Sequence, residues 1–168
     1  MPATDLFSVA LDPANGNLTA KVLLVLEAPG PGAVASKRVS INNDDPTARN
    51  LKALLAKGEL TSADLIIWNV VPWYCGNEEK TKIEVPSAKD VAEGIESLCT
   101  FVALLKNLKA IVLVGSTARK AHVRLSAKTR ARILSCHTCR NASSTPTEAP
   151  LGKTRKSLRS SGAASNDA

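Results

Sequence analysis

The apolar positions of this chain gather in four short runs: Val22 to Leu26, most of Asp64 to Trp73, Ala110 to Val114, and a brief one at Arg132 to Ser135. Such runs lack polar alternation, which is the pattern of strands covered on both faces, as in a parallel sheet packed between helices. Between them the period turns helical. Asp45 followed by Pro46 reads as an N-cap with proline at the first helical position, opening a helix that carries Ala48, Leu51, Leu54 and Leu55 on one face as far as Gly58. Pro86 and Ser87 lead into a second helix from about Ala88 to Lys106, and Gly115-Ser116 turns the third strand into another helix for which Ser116 or Thr117 is the expected cap. Residues 1 to 20, with Pro13, Asn15 and Gly16, read as an irregular lead-in with room for one short strand. Ala33 to Arg38 is small and basic, and Ser40 to Asp45 is polar loop. The alternation of strand and helix predicts one three-layer α/β/α domain with a mainly parallel, about four-stranded central sheet, over residues 1–141. From residue 142 to 168 the composition shifts to Ser, Thr, Ala, Pro and Gly with Lys153, Arg155, Lys156 and Arg159, which predicts a disordered basic tail.

At 44% hydrophobic and 22% charged the composition is that of an ordinary globular chain, but the formal net charge of +7 favours a polyanionic partner. No apolar run is long enough to span a bilayer, and the first residues lack the basic start and apolar core of a signal peptide, so no membrane and a cytoplasmic location are expected. In that compartment thiols stay reduced, and Cys75, Cys99, Cys136 and Cys139 read as thiols or metal ligands rather than disulfides.

The candidate chemistry sits where the strands end. Glu27-Ala28-Pro29-Gly30-Pro31-Gly32 breaks the first strand, because its prolines lack donors and its glycines permit positive φ, so the backbone must turn at the carboxyl edge, where open α/β sheets bind ligands. Asn69 near the end of the second strand is out of place: a buried amide without partners costs about 1–3 kcal/mol, so it should serve a neighbouring backbone or a ligand. His137 follows the last strand. A turn of backbone donors, a carboxamide and an imidazole at one rim could grip a planar heterocycle and stabilise negative charge on it.

An EAPG loop after the first strand, a strand ending in Trp68-Asn69, a strand ending in Gly115-Ser116 and a final strand ending in His137 together resemble the uracil-DNA glycosylase superfamily, over roughly Lys21 to Arg140. The first motif is most similar to the branch with a GEAPG form. The resemblance implies that Glu27, Ala28, Pro29 and Gly30 wrap the flipped uracil and position the attacking water, that Asn69 reads the base edge, and that His137 stabilises the departing uracil anion. Glu27 and His137 are then the catalytic candidates. This chain has Ala28 where the best-known branch has a water-activating Asp, which leaves Glu27 as the nearest carboxylate. It has no aromatic residue between Gly32 and Asn50 to stack on the base, so Ile41 or Trp73 is expected to substitute, and its last motif, His137-Thr138-Cys139-Arg140, lacks the family's prolines. Ser36, Lys37, Arg38, Ser116 and Arg140 are placed in loops or turns to contact phosphates. His122 reads as a surface residue. Some members of that branch carry an iron–sulfur cluster; here it would need Cys75, Cys99, Cys136 and Cys139, and the expectation is no metal and no cofactor. The implied protein is a monomeric repair glycosylase acting on DNA that contains uracil or another damaged base. The alternatives are a glycosylase for another lesion or mismatch, and a non-catalytic nucleic-acid-binding member of the fold.

Overall fold

The computed structural model describes residues 10–58 and 60–137. Its centre is a four-stranded, all-parallel sheet in the order β4-β2-β5-β6, formed by β2 (Val22–Leu26), β4 (Leu65–Asn69), β5 (Ala110–Val114) and β6 (Arg132–Cys136). A separate two-stranded parallel pair joins β1 (Ala10–Leu11) to β3 (Arg38–Val39). The predicted three-layer architecture is therefore present.

The faces of β2 explain the layers. Leu23 and Val25 join Ile66, Ile111 and Leu113 in one core, which is covered by α3 (Ala88–Leu104), α4 (Gly115–Arg119) and α5 (His122–Ser126). Leu24 points the other way and packs with Leu65, Ile67, Val114 and Leu51, the last from α2 (Pro46–Lys57). Alternate residues of β2, β4 and β5 thus feed opposite cores, and uninterrupted apolar runs are what strands buried on both faces require, whereas the edge strand β6 is largely exposed.

Helix starts follow their caps. The Asp45 carboxylate accepts from the Ala48 N–H at 2.9 Å with Pro46 in the first helical position, and Ser87 with Asp90 forms a reciprocal capping box at the start of α3. On α3, Phe101 stacks on Trp68 of β4 with ring centroids 4.3 Å apart. Gly94 lets α3 approach the segment after β4 so closely that a Cβ there would overlap the Val70 carbonyl.

Several expectations are corrected. Pro31 and Gly32 do not lie in a plain turn: with Gly30 as N-cap they open α1 (Pro31–Ser36), because a proline at the first helical position gives up an N–H that has no partner there in any case. Asp64 belongs to a 3₁₀ turn, Ser62–Asp64, closed by a capping box with Thr61, so β4 starts one residue later. Leu54 is 53% exposed, because α2 meets the sheet along Ala48, Leu51 and Leu55. The second large helix ends at Leu104 rather than Lys106. Neither Ser116 nor Thr117 caps α4: Gly115, at φ 86°, carries the chain from strand straight into helix, which puts both hydroxyls inside it. Arg140, Cys139 and the tail at 142–168 lie outside the described residues. Among the described residues no helix is long and apolar enough to cross a membrane.

Candidate active site

The carboxyl edge of the sheet opens into a cavity of about 890 Å³ on the α2 side, lined by residues from the ends of β2, β4, β5 and β6. Two backbone bonds set its floor. Val70 N–H donates to Leu26 O at 2.8 Å and Val71 N–H to Glu27 O at 2.9 Å, so the strand carrying Asn69 is held against the Glu27 loop beyond the end of the regular ladder. Leu26 and Asn69 are register partners, which turns the Asn69 side chain to the same face as Leu26 and into the cavity.

Asn69 is only 3% exposed, yet its side chain lines the cavity. The sequence left open whether this amide serves backbone or ligand; its place in the cavity wall puts it within reach of a ligand. His137, exposed at the end of β6, stands on the same cavity wall as Ser116 and Arg119. Ala28, Pro29 and Gly30 complete the rim.

Glu27 also borders the cavity, but its carboxylate is engaged: the buried Thr117 hydroxyl donates to Oε2 at 2.6 Å. Thr117 does not line the cavity, so this carboxylate is anchored toward α4. Its charge reaches Cys75, whose thiol is pushed up to about 11 by burial first, then by Asp90 and Glu27. That thiol is protonated at neutral pH and is no nucleophile.

Other expected site residues lie elsewhere. Ile41 is buried in the α2-side core, 8% exposed, and does not line the cavity. Trp73 packs against the opposite core and donates its indole N–H to Asp90 at 3.3 Å, so the turn after β4 draws it to the start of α3. Ser36, Lys37 and Arg38 occupy the far end of α1 and the start of β3, and none of the three lines the cavity. Ser36 Oγ donates to Ala33 O, Lys37 is the left-handed cap of α1, and Arg38 is 3.8 Å from Asp12. No aromatic side chain lines the cavity among the described residues; the loop between β4 and α3 delivers Ile83 instead, close beside Gly30. Ile83, Arg119 and Thr117 are the residues that sequence reading missed. Ile83 had one visible signal, an aliphatic residue inside the charged run from Gly76 to Val85.

Cys99 is buried in the core that α3 covers, and Cys75 packs against that same core. Cys136 is exposed at the end of β6, and among the described residues no three His, Cys, Asp or Glu side chains gather as metal ligands.

The parallel sheet thus brings a carboxamide, Asn69, and an imidazole, His137, to one cavity at its carboxyl edge. The chain belongs to the Uracil DNA glycosylase superfamily, whose family model matches residues 13–160. No curated protein matches it. Membership points to DNA as the partner and suggests DNA glycosylase chemistry.

Proposed function

We propose that the protein excises uracil, or a related deaminated base, from DNA by hydrolysing the N-glycosidic bond. The observation that carries this reading is the Asn69 side chain, only 3% exposed yet lining the carboxyl-edge cavity. A carboxamide offers one acceptor and two donors, which matches the alternating carbonyl and N–H groups of a uracil edge. The base must first leave the duplex stack, at a cost of a few kcal/mol, and its contacts in the pocket offset that cost.

Cleavage leaves an oxocarbenium-like sugar and a uracil anion. In this reading His137, which lines the same cavity as Asn69, donates a hydrogen bond to a carbonyl oxygen of the base as negative charge develops there, the kind of stabilisation that is stronger in the transition state than in the substrate. The backbone of Ala28, Pro29 and Gly30, with Glu27 held by Thr117, positions the attacking water. Ser116 and Arg119 face the phosphates that flank the flipped nucleotide. The protein is read as a monomer acting in the cytoplasm.

A second reading, a nucleic-acid-binding domain without catalysis, is favoured by one observation: the Glu27 carboxylate is committed to Thr117, and Ala28 supplies no other. Incubating the protein with a uracil-containing oligonucleotide and measuring free uracil separates the two. Release of uracil supports the glycosylase; binding without release supports the second reading.

A further inference from the structure

Charge is divided unevenly along this chain. Residues 10–96 carry nine Lys and Arg against twelve Asp and Glu, whereas residues 97–137 carry eight Lys and Arg and no acid at all. All eight of those cations are exposed, and among the described residues only Arg124 has an acidic partner, Glu96 of α3.

These cations sit on the α3–β5 connection, on α4, α5 and β6 and on the turns that join these three, next to the edge strand of the sheet, since β6 pairs only with β5. At the carboxyl edge Arg119 opens into the candidate active site. At the amino edge Lys106, Lys109, Thr129 and Arg130 line a second hollow of about 360 Å³. Between the two edges β6 extends about 16 Å, close to the axial rise of five nucleotides of one DNA strand.

We propose that the backbone of the DNA flanking the excised base runs along this β6 edge, from the cavity mouth at Arg119 to the hollow between Lys106, Lys109 and Arg130. The inference rests on the reading of DNA as partner. It gives the net positive charge a location within the folded domain, around the edge strand β6.

The test measures affinity for an undamaged single-stranded oligonucleotide as a function of salt, by fluorescence anisotropy on the full chain. Each phosphate contact contributes about 0.7 to the slope of log affinity against log salt for single strands. The triple variant Lys128→Ser/Arg130→Ser/Arg132→Ser should lose about 2 from that slope. The control triple variant Lys52→Ser/Lys57→Ser/Lys89→Ser, equal in charge but on α2 and the start of α3, should keep it. An unchanged slope in the first variant, an equal fall in both, or no DNA binding by the wild type would overturn the proposal. The measurement needs no base excision, so a protein that releases no uracil but shows the slope difference would overturn the glycosylase reading alone.

Discussion

The Thr117 hydroxyl donates to Glu27 Oε2 at 2.6 Å across 90 positions of sequence, tying the loop after β2 to the helix after β5. These are the two segments that bring Ala28-Pro29-Gly30 and Gly115-Ser116 to the same cavity. A hydrogen bond to a charged group contributes about 1.5–3 kcal/mol, and deleting one partner leaves the other desolvated.

Thr117→Val should therefore lower the melting temperature and reduce the excision rate by about tenfold or more, because a small misplacement of the loop costs alignment. Thr117→Ser keeps the donor and should restore both. Thermal unfolding and single-turnover excision check this; a Val variant as active as wild type would remove Thr117 as a positioning residue.

Ile83 stands where a base-stacking aromatic is missing. It lines the cavity from a loop braced by Asn77, whose Oδ1 accepts from the Thr81 and Lys82 N–H groups at 3.0 and 2.7 Å, and by Tyr74, which donates to Lys82 O at 2.7 Å. Ile83 is half-buried, and a base seated against it would cover more of its side chain, each buried methylene contributing about 0.8 kcal/mol. Ile83→Ala is expected to raise KM for a uracil oligonucleotide by about tenfold with a smaller change in kcat, and Ile83→Phe to lower it. Steady-state kinetics with both variants decide, and equal KM values in all three proteins would exclude contact with the base.

These two residues also show where sequence reading stops. The starts of the four strands were legible within a residue or so, although β4 stops at Asn69, four residues before Trp73, and α2 and α3 were legible from Asp45-Pro46 and from Pro86-Ser87, where Asp45 and Ser87 serve their own helix ends. Asn69 was legible as an anomaly in an apolar strand. Thr117 was not, since a threonine next to a helix start looks like a cap and its partner lies in a different βα unit. Ile41 and Trp73 were nominated because they are large and near the motifs; the sheet's second core took one and the Asp90 carboxylate the other. Local order along the chain does not say which face of the sheet a side chain reaches.

Three carboxylates make the fold sensitive to acid. Asp64 is lowered to about 2, chiefly by Lys21 and then by Thr61. Asp12 is lowered chiefly by Ser40, and Asp90 chiefly by Ser87. Each folded value lies below the ordinary 3.8, so the stability they contribute is fully present above that value and is lost as pH falls through the folded values. Urea midpoints should be flat from neutral pH down to about 5 and fall between about 4 and 2. Asp64→Asn should show a shallower fall over that range, and a fall as steep as the wild type's would assign the acid sensitivity elsewhere.

The central claim is that Asn69 and His137 act together on a flipped uracil. It is tested most directly by cleavage of a labelled single-stranded oligonucleotide containing one uracil, followed by alkali, with wild type beside Asn69→Ala and His137→Ala. Removing one preorganised donor to a developing anion costs about 10²–10³ in rate, so the account predicts strand scission by the wild type that falls by at least that factor in each variant while the melting temperatures stay close to wild type. No scission by the wild type, or scission that survives both substitutions, would contradict it.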